Sequence, residues 1–169
     1  MSDYLLVGKI INTFGIKGEL KITSDFEYQD RVYRNNTKIY IGDDKKEEII
    51  NTSKIHKGYL IVALNNLNNI NDVLKYKNLY VYIKREELNL NNDEYLTSDL
   101  INYEVYDEDK LIGKVIDFEY SKLYTLLKVR GEKDFYIPKI DKFIKKIDFQ
   151  AKIIYTNGGS GLILWKLIY

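Results

Sequence analysis

The stretch from Tyr4 to Thr23 constrains the fold more than any other part of this chain. Apolar and polar residues alternate through Val7-Gly8-Lys9-Ile10 and again through Glu19-Leu20-Lys21-Ile22. Between them lies Gly15-Ile16-Lys17-Gly18, a turn with two glycines and a lysine. Period-two alternation on both sides of a glycine turn predicts a β-hairpin, because successive side chains of a strand face opposite ways. The glycines suit a turn that needs positive φ. A loop of type G-x-x-G that clamps single-stranded RNA must join two helices, and here strand-like sequence flanks it on both sides.

The same pattern continues. Strands are predicted at Tyr4–Ile10, Glu19–Thr23, Lys38–Ile41, Glu48–Ile55, Tyr59–Leu64 and Leu79–Ile83. Turn signals at Gly42-Asp43-Asp44 and Lys57-Gly58 separate them. One helix is expected from Asn69 to Tyr76, capped by Asn69 or Asn71, with Ile70, Val73, Leu74 and Lys77 at helical spacing. Six strands and one short helix in residues 1–84 predict a small β-barrel. Residues 85–94 are acidic and Asn-rich without strand periodicity and read as a linker. From Tyr95 the alternation resumes at Glu104–Tyr106, Leu111–Glu119, Thr125–Val129, Asp134–Ile137, Phe143–Ile147 and Lys152–Tyr155, a second small barrel over 95–156. Pro138 cannot donate to a ladder, so it should end its strand or lie on an edge. The predicted fold class is all-β, two small barrels joined by a short linker. Residues 157–169 form a Gly-rich tail that ends in Leu162-Ile163-Leu164-Trp165-Lys166-Leu167-Ile168-Tyr169. Thr156–Gly161 reads as a flexible linker by composition, and the apolar residues after it are expected to dock on the second barrel.

Composition narrows function. The chain of 169 residues has no cysteine, which excludes disulfides, zinc-thiolate sites and thiol catalysis. Its one histidine, His56, sits beside Lys57-Gly58 in a predicted hairpin turn and reads as a surface residue. Asp107, Glu108 and Asp109 read as a solvated acidic turn rather than a calcium loop. No catalytic residue, metal or cofactor is expected. No segment is apolar for long enough to cross a membrane, and the N-terminus lacks a secretory pattern. A soluble, cytoplasmic, monomeric protein is expected. Net charge is only +1, so a partner rich in phosphate would be met through a local patch. The sixteen tyrosines and the abundant Lys, Asn and Ile fit an A/T-rich coding sequence, so their number alone does not argue for base stacking.

Lys17 and Lys21 on the first hairpin are candidate contacts for phosphates. Tyr95 and Leu96, at the entrance to the second barrel, are candidate contacts for protein. Arg130 and Lys133 on a hairpin tip complete the candidate set.

These motifs resemble one family. Val7-Gly8-Lys9-Ile10 with Gly15-Ile16-Lys17-Gly18-Glu19-Leu20-Lys21 is similar to the opening signature of RimM, the bacterial ribosome maturation factors. Asp99-Leu100, Val105, Gly113-Lys114-Val115, Tyr136-Ile137-Pro138, Ile140-Asp141, Ile144 and Ile147-Asp148 follow in the family's order. The resemblance implies a translation-factor-like amino-terminal barrel and a carboxy-terminal PRC-barrel. It also implies a non-enzymatic assembly factor for the head of the immature small ribosomal subunit. Such a factor binds a ribosomal protein of the S-nineteen family and promotes maturation of 16S rRNA. The alternative is a general RNA-binding module of two barrels without a ribosomal protein partner. The chain departs from the family pattern at Phe14, usually His, and at Leu96, usually the second of two tyrosines tied to ribosome association. It departs again at Asn102, often Gly, and at Tyr124-Thr125, usually Asn-Asp.

Overall fold

The computed structural model describes residues 4–120 and 123–163. It divides into two compact units, with the boundary between Glu94 and Tyr95.

The first unit is a closed six-stranded barrel. Its strands are β1 (Tyr4–Phe14), β2 (Glu19–Thr23), β3 (Lys38–Ile41), β4 (Lys46–His56), β5 (Tyr59–Leu64) and β6 (Tyr80–Lys84), in the order β1-β2-β5-β4-β3-β6. Every pairing is antiparallel. The two long strands carry the curvature. β1 is irregular between Leu6 and Gly8 against β6, and between Ile10 and Asn12 against β2. β4 is irregular between Ile50 and Thr52. An extra residue bends a strand and increases its twist, which a barrel this small requires. The inward set is aliphatic: Ile10, Leu20, Ile22, Ile39, Ile41, Ile50, Val62, Leu64, Val81 and Ile83 are all buried. Each such side chain contributes about 1.5–3 kcal/mol of transfer free energy.

Two helical turns lie between strands of this unit. α1 (Gln29–Val32) buries Val32. α2 (Ile70–Val73) runs on into a 3-10 turn, Leu74–Tyr76. The Asn69 side chain caps α2 by accepting the Asn71 N–H at 2.9 Å, as its position predicts. Residues 85–94, expected as a linker, lie on the first unit's side of the boundary, and part of the segment packs on that unit. Arg85–Leu88 form a 3-10 turn and Leu88 is fully buried. The Arg31 guanidinium donates to the carbonyls of Leu88 and Asn89 at 3.3 and 3.1 Å and pairs with the Glu94 carboxylate. Glu94 also accepts the Asn91 N–H at 2.7 Å. That bond first, and the Arg31 pairing second, hold its carboxyl below the usual range.

The second unit holds β7 (Glu104–Asp107), β8 (Lys110–Tyr120), β9 (Thr125–Arg130), β10 (Asp134–Pro138), β11 (Ile144–Asp148) and β12 (Ile153–Thr156), in the order β10-β9-β8-β7-β12-β11. All pairs are antiparallel except β12 with β7. Leu100, Val105, Val115, Leu127, Val129, Phe135, Ile137 and Ile154 form its core. Pro138 ends β10, which is an edge strand of this sheet. Asn102, where the family often has glycine, has φ +69°. Asparagine tolerates that region better than most residues.

Two expectations for this unit are corrected. Asp107 is not a solvated turn residue: its carboxylate accepts the Thr156 hydroxyl, the Gly159 N–H and the Ser160 N–H at 3.0, 3.0 and 2.9 Å. Nor is Thr156–Gly161 a bare linker. Gly159–Leu162 form a helical turn, α3, whose first two amides are held by that carboxylate. Composition alone hides this, because the holding group lies 52 positions upstream of Gly159. Leu162 and Ile163 pack against the core of this unit. The rest of the apolar tail, residues 164–169, lies outside the described residues.

Candidate partner-binding surfaces

On the first barrel, the Gly15–Gly18 turn has left-handed backbone at both glycines, φ +64° and +75°. The two differ in their surroundings. A Cβ on Gly15 would meet nothing, whereas one on Gly18 would stand 2.5 Å from the Leu67 carbonyl oxygen. The Gly18 end of the turn therefore lies against the residues that lead into α2. The Ile70 N–H reinforces this by donating to the Ile16 carbonyl at 3.1 Å. So braced, the loop presents Ile16, 78% exposed, and an exposed Lys17.

Lys21 projects from the same hairpin. Its ammonium lies 3.8 Å from the centre of the Tyr59 ring, an attraction between the cation and the ring's negative face. The register places Lys21 opposite Ile61 of β5, and Ile61 opposite Lys54 of β4. Lys54 pairs with Glu19 at 2.8 Å, and the Phe14 ring lies 5.3 Å from the exposed His56 ring. The outer face of β2, β5 and β4 thus gathers Lys21, Lys54, Tyr59 and His56 with one carboxylate, Glu19. Of these only Lys21 was expected as a contact. Lys54 is legible once the β4–β5 hairpin register is drawn, because it pairs with the residue that faces Lys21.

On the second unit the expected Tyr95-Leu96 pair is split. Leu96 is 1% exposed and presents no surface to a partner. Its N–H donates to Asp99 at 2.9 Å, which starts the 3-10 turn Thr97–Leu100. Tyr95 is half-buried. Its ring lies 5.0 Å from that of the exposed Phe149, and the Lys139 ammonium lies 4.7 Å from its centre. Lys139 also donates to the Thr97 hydroxyl at 2.8 Å. Phe149 is presented by a turn in which Asp148 accepts the Ala151 N–H at 2.8 Å, the chief reason the Asp148 carboxyl is lowered. Phe149 and Lys139 are the members of this cluster that sequence reasoning did not join to Tyr95.

Arg130 and Lys133 lie on the β9–β10 tip. Both are exposed, and Arg130 donates to Asp134 at 3.2 Å. Lys139 follows the other end of β10, so strand rise separates Lys133 from it by roughly 20 Å. The tip is a separate feature from the Tyr95 cluster. Elsewhere on this unit an apolar hollow of about 760 Å³ is bordered by Tyr124, Leu126, Tyr136, Pro138, Phe143 and Leu162. Among the described residues, no three His, Cys, Asp or Glu side chains gather as a metal site. Among the same residues no helix is long and apolar enough to cross a membrane.

A closed six-stranded barrel followed by a second six-stranded sheet defines a two-domain, mostly β protein. The first half matches the RimM N-terminal domain over residues 5–88, and the second matches the RimM PRC barrel domain over residues 97–162. The chain belongs to the RimM family of ribosome maturation factors. It is 35% identical to the ribosome maturation factor RimM of Staphylococcus haemolyticus over 162 residues, covering 93% of this chain and 97% of that one. Identity is 33% with the Bacillus subtilis protein of the same name (93% and 95% covered) and 34% with that of Finegoldia magna (90% and 94% covered).

Proposed function

We propose that this chain is a non-enzymatic, monomeric, cytoplasmic assembly factor of the small ribosomal subunit. It binds the head of the immature subunit through a ribosomal protein of the S-nineteen family and promotes maturation of 16S rRNA. The observation that carries this reading is the pair of RimM domain matches in series across nearly the whole chain. The surfaces give the reading its chemistry. Lys17 and Lys21, with Lys54 beside them, serve phosphates, and Arg130 and Lys133 add charge on the second unit. Tyr95 and Phe149 serve protein, with aromatic area of the kind that anchors interfaces. A factor of this sort acts by favouring the conformation it binds best.

The test is binding of the purified chain to an S-nineteen-family protein, free and within immature small subunits. Tight binding that Tyr95→Ala/Phe149→Ala weakens supports the reading. Failure to bind either form, with salt-sensitive binding to bare RNA, would favour a general RNA-binding module.

A further inference from the structure

The outer face of β6 and the strands beside it carries a second concentration of rings and cations, away from the residues assigned above. Tyr80 and Tyr82 lie two positions apart on β6 and so share one face, about 7 Å apart along the strand. The register sets Tyr82 opposite Leu6 and Tyr80 opposite Lys9, both on β1. Leu6 is 55% and Tyr80 45% exposed. A lysine stands over each ring. Lys9 lies 5.1 Å from the centre of Tyr80, and Lys45 lies 3.8 Å from the centre of Tyr82. Lys84 lies 5.4 Å from the Tyr40 ring and 5.8 Å from that of Tyr4.

What distinguishes this face is its charge. Among the described residues none of Lys9, Lys45 and Lys84 pairs with a carboxylate. Lys45 adds only bonds to the Gly42 and Asp43 carbonyls, at 3.2 and 3.4 Å. Of the acidic groups near this face, Glu87 accepts the Tyr40 hydroxyl and Glu47 pairs with Lys38, while Asp43 and Asp44 are exposed in the turn that carries Lys45 without forming an ion pair with it. Exposed aromatic area with cations that lack counter-charges is complementary to a ligand that is both flat and anionic. Base–aromatic stacking with phosphates taken by nearby lysines is the physical basis of single-strand binding. The lysines are on flexible stems and can leave the rings for phosphates as bases arrive.

We propose that this face binds unpaired RNA, with bases stacking on Tyr80 and Tyr82 and phosphates held by Lys9, Lys45 and Lys84. The proposal rests on reading the chain as a factor that meets ribosomal RNA. It goes beyond that reading by assigning a separate site and a class of RNA.

The test is fluorescence anisotropy of a labelled oligouridylate of about ten nucleotides, titrated with the full chain at low and physiological salt. The Tyr80→Ala/Tyr82→Ala variant is expected to bind about tenfold or more weakly, and Tyr80→Phe/Tyr82→Phe to keep the affinity. Lys9→Ala/Lys45→Ala/Lys84→Ala is expected to flatten the salt dependence. Thermal melts of each variant establish that it is folded. Absence of binding by the unaltered chain overturns the proposal. So does an alanine variant that binds as well as the parent, a phenylalanine variant as weak as the alanine one, or equal affinity for a duplex of the same length. Capture of immature small subunits is measured in parallel. If subunits are captured but the oligonucleotide is not bound, this site falls and the assembly-factor reading stands. The reverse result leaves the site and removes that reading.

Discussion

The Asp107 carboxylate accepts the backbone N–H of Ser160 at 2.9 Å, across 53 positions of chain. With the bonds from Gly159 and Thr156, it ties the end of β7 to the turn after β12. Burial alone would raise the Asp107 pKa. The bonds from Ser160, Thr156 and Gly159 outweigh it and leave the carboxyl below its ordinary value. Asp107→Asn should destabilise the second unit by about 1–2 kcal/mol at neutral pH. Because the folded-state pKa is depressed, this contribution is present above the ordinary carboxylate pKa and is lost as pH falls through the folded value. Thermal melts of parent and variant should therefore differ at neutral pH and converge in acid.

The two glycines of the first loop should respond differently to alanine. Gly15→Ala meets only the backbone penalty of the left-handed region, about 1–2 kcal/mol. Gly18→Ala adds a collision with the Leu67 carbonyl and should cost more. Chemical denaturation of both variants, with no change in slope, checks the order.

Arg31 holds two backbone carbonyls and a carboxylate at once. Arg31→Lys should not restore this arrangement, because an ammonium is a point donor without the guanidinium's planar fork. Hydrogen exchange of the amides in 88–94 should rise in both Arg31→Ala and Arg31→Lys, with the core strands of the first barrel unchanged.

Neighbouring residues Tyr95 and Leu96 should separate stability from binding. Leu96→Ala should cost about 2–5 kcal/mol, as a buried large-to-small substitution does. Tyr95→Ala should cost less stability and act on partner capture. Melts and pull-downs of both variants against immature subunits test the split.

The strand pattern was legible because alternation and turn chemistry agree. β2, β3 and β5 fall where alternation places them. β1 runs four residues past its expected end at Ile10, because the ladder with β2 continues across a register shift between Ile10 and Asn12, and an earlier shift between Leu6 and Gly8 already disturbs the alternation. Val7 and Ile10 are both buried although they stand three apart, so period two breaks while the strand continues. α1 is four residues long, too short for a helical period to declare itself. The candidate surfaces were legible only in part. Lys17 and Lys21 belong to one local hairpin. The rings of Tyr59 and Phe149 join Lys21 and Tyr95 through pairings distant in sequence, and Leu96 reads like an anchor until its burial is known.

Asn36, Asn66, Asn78, Asn89 and Asn102 all take positive φ. In this chain asparagine shares a task usually left to glycine, and a compositional bias becomes a stock of left-handed corners. An asparagine has fewer conformations to surrender than a glycine, but it meets part of the left-handed penalty that glycine escapes, so the two terms oppose one another at each of these corners. Left-handed corners are more numerous here than the glycines alone would supply, and the Asn-rich composition of the chain is put to structural use at its turns.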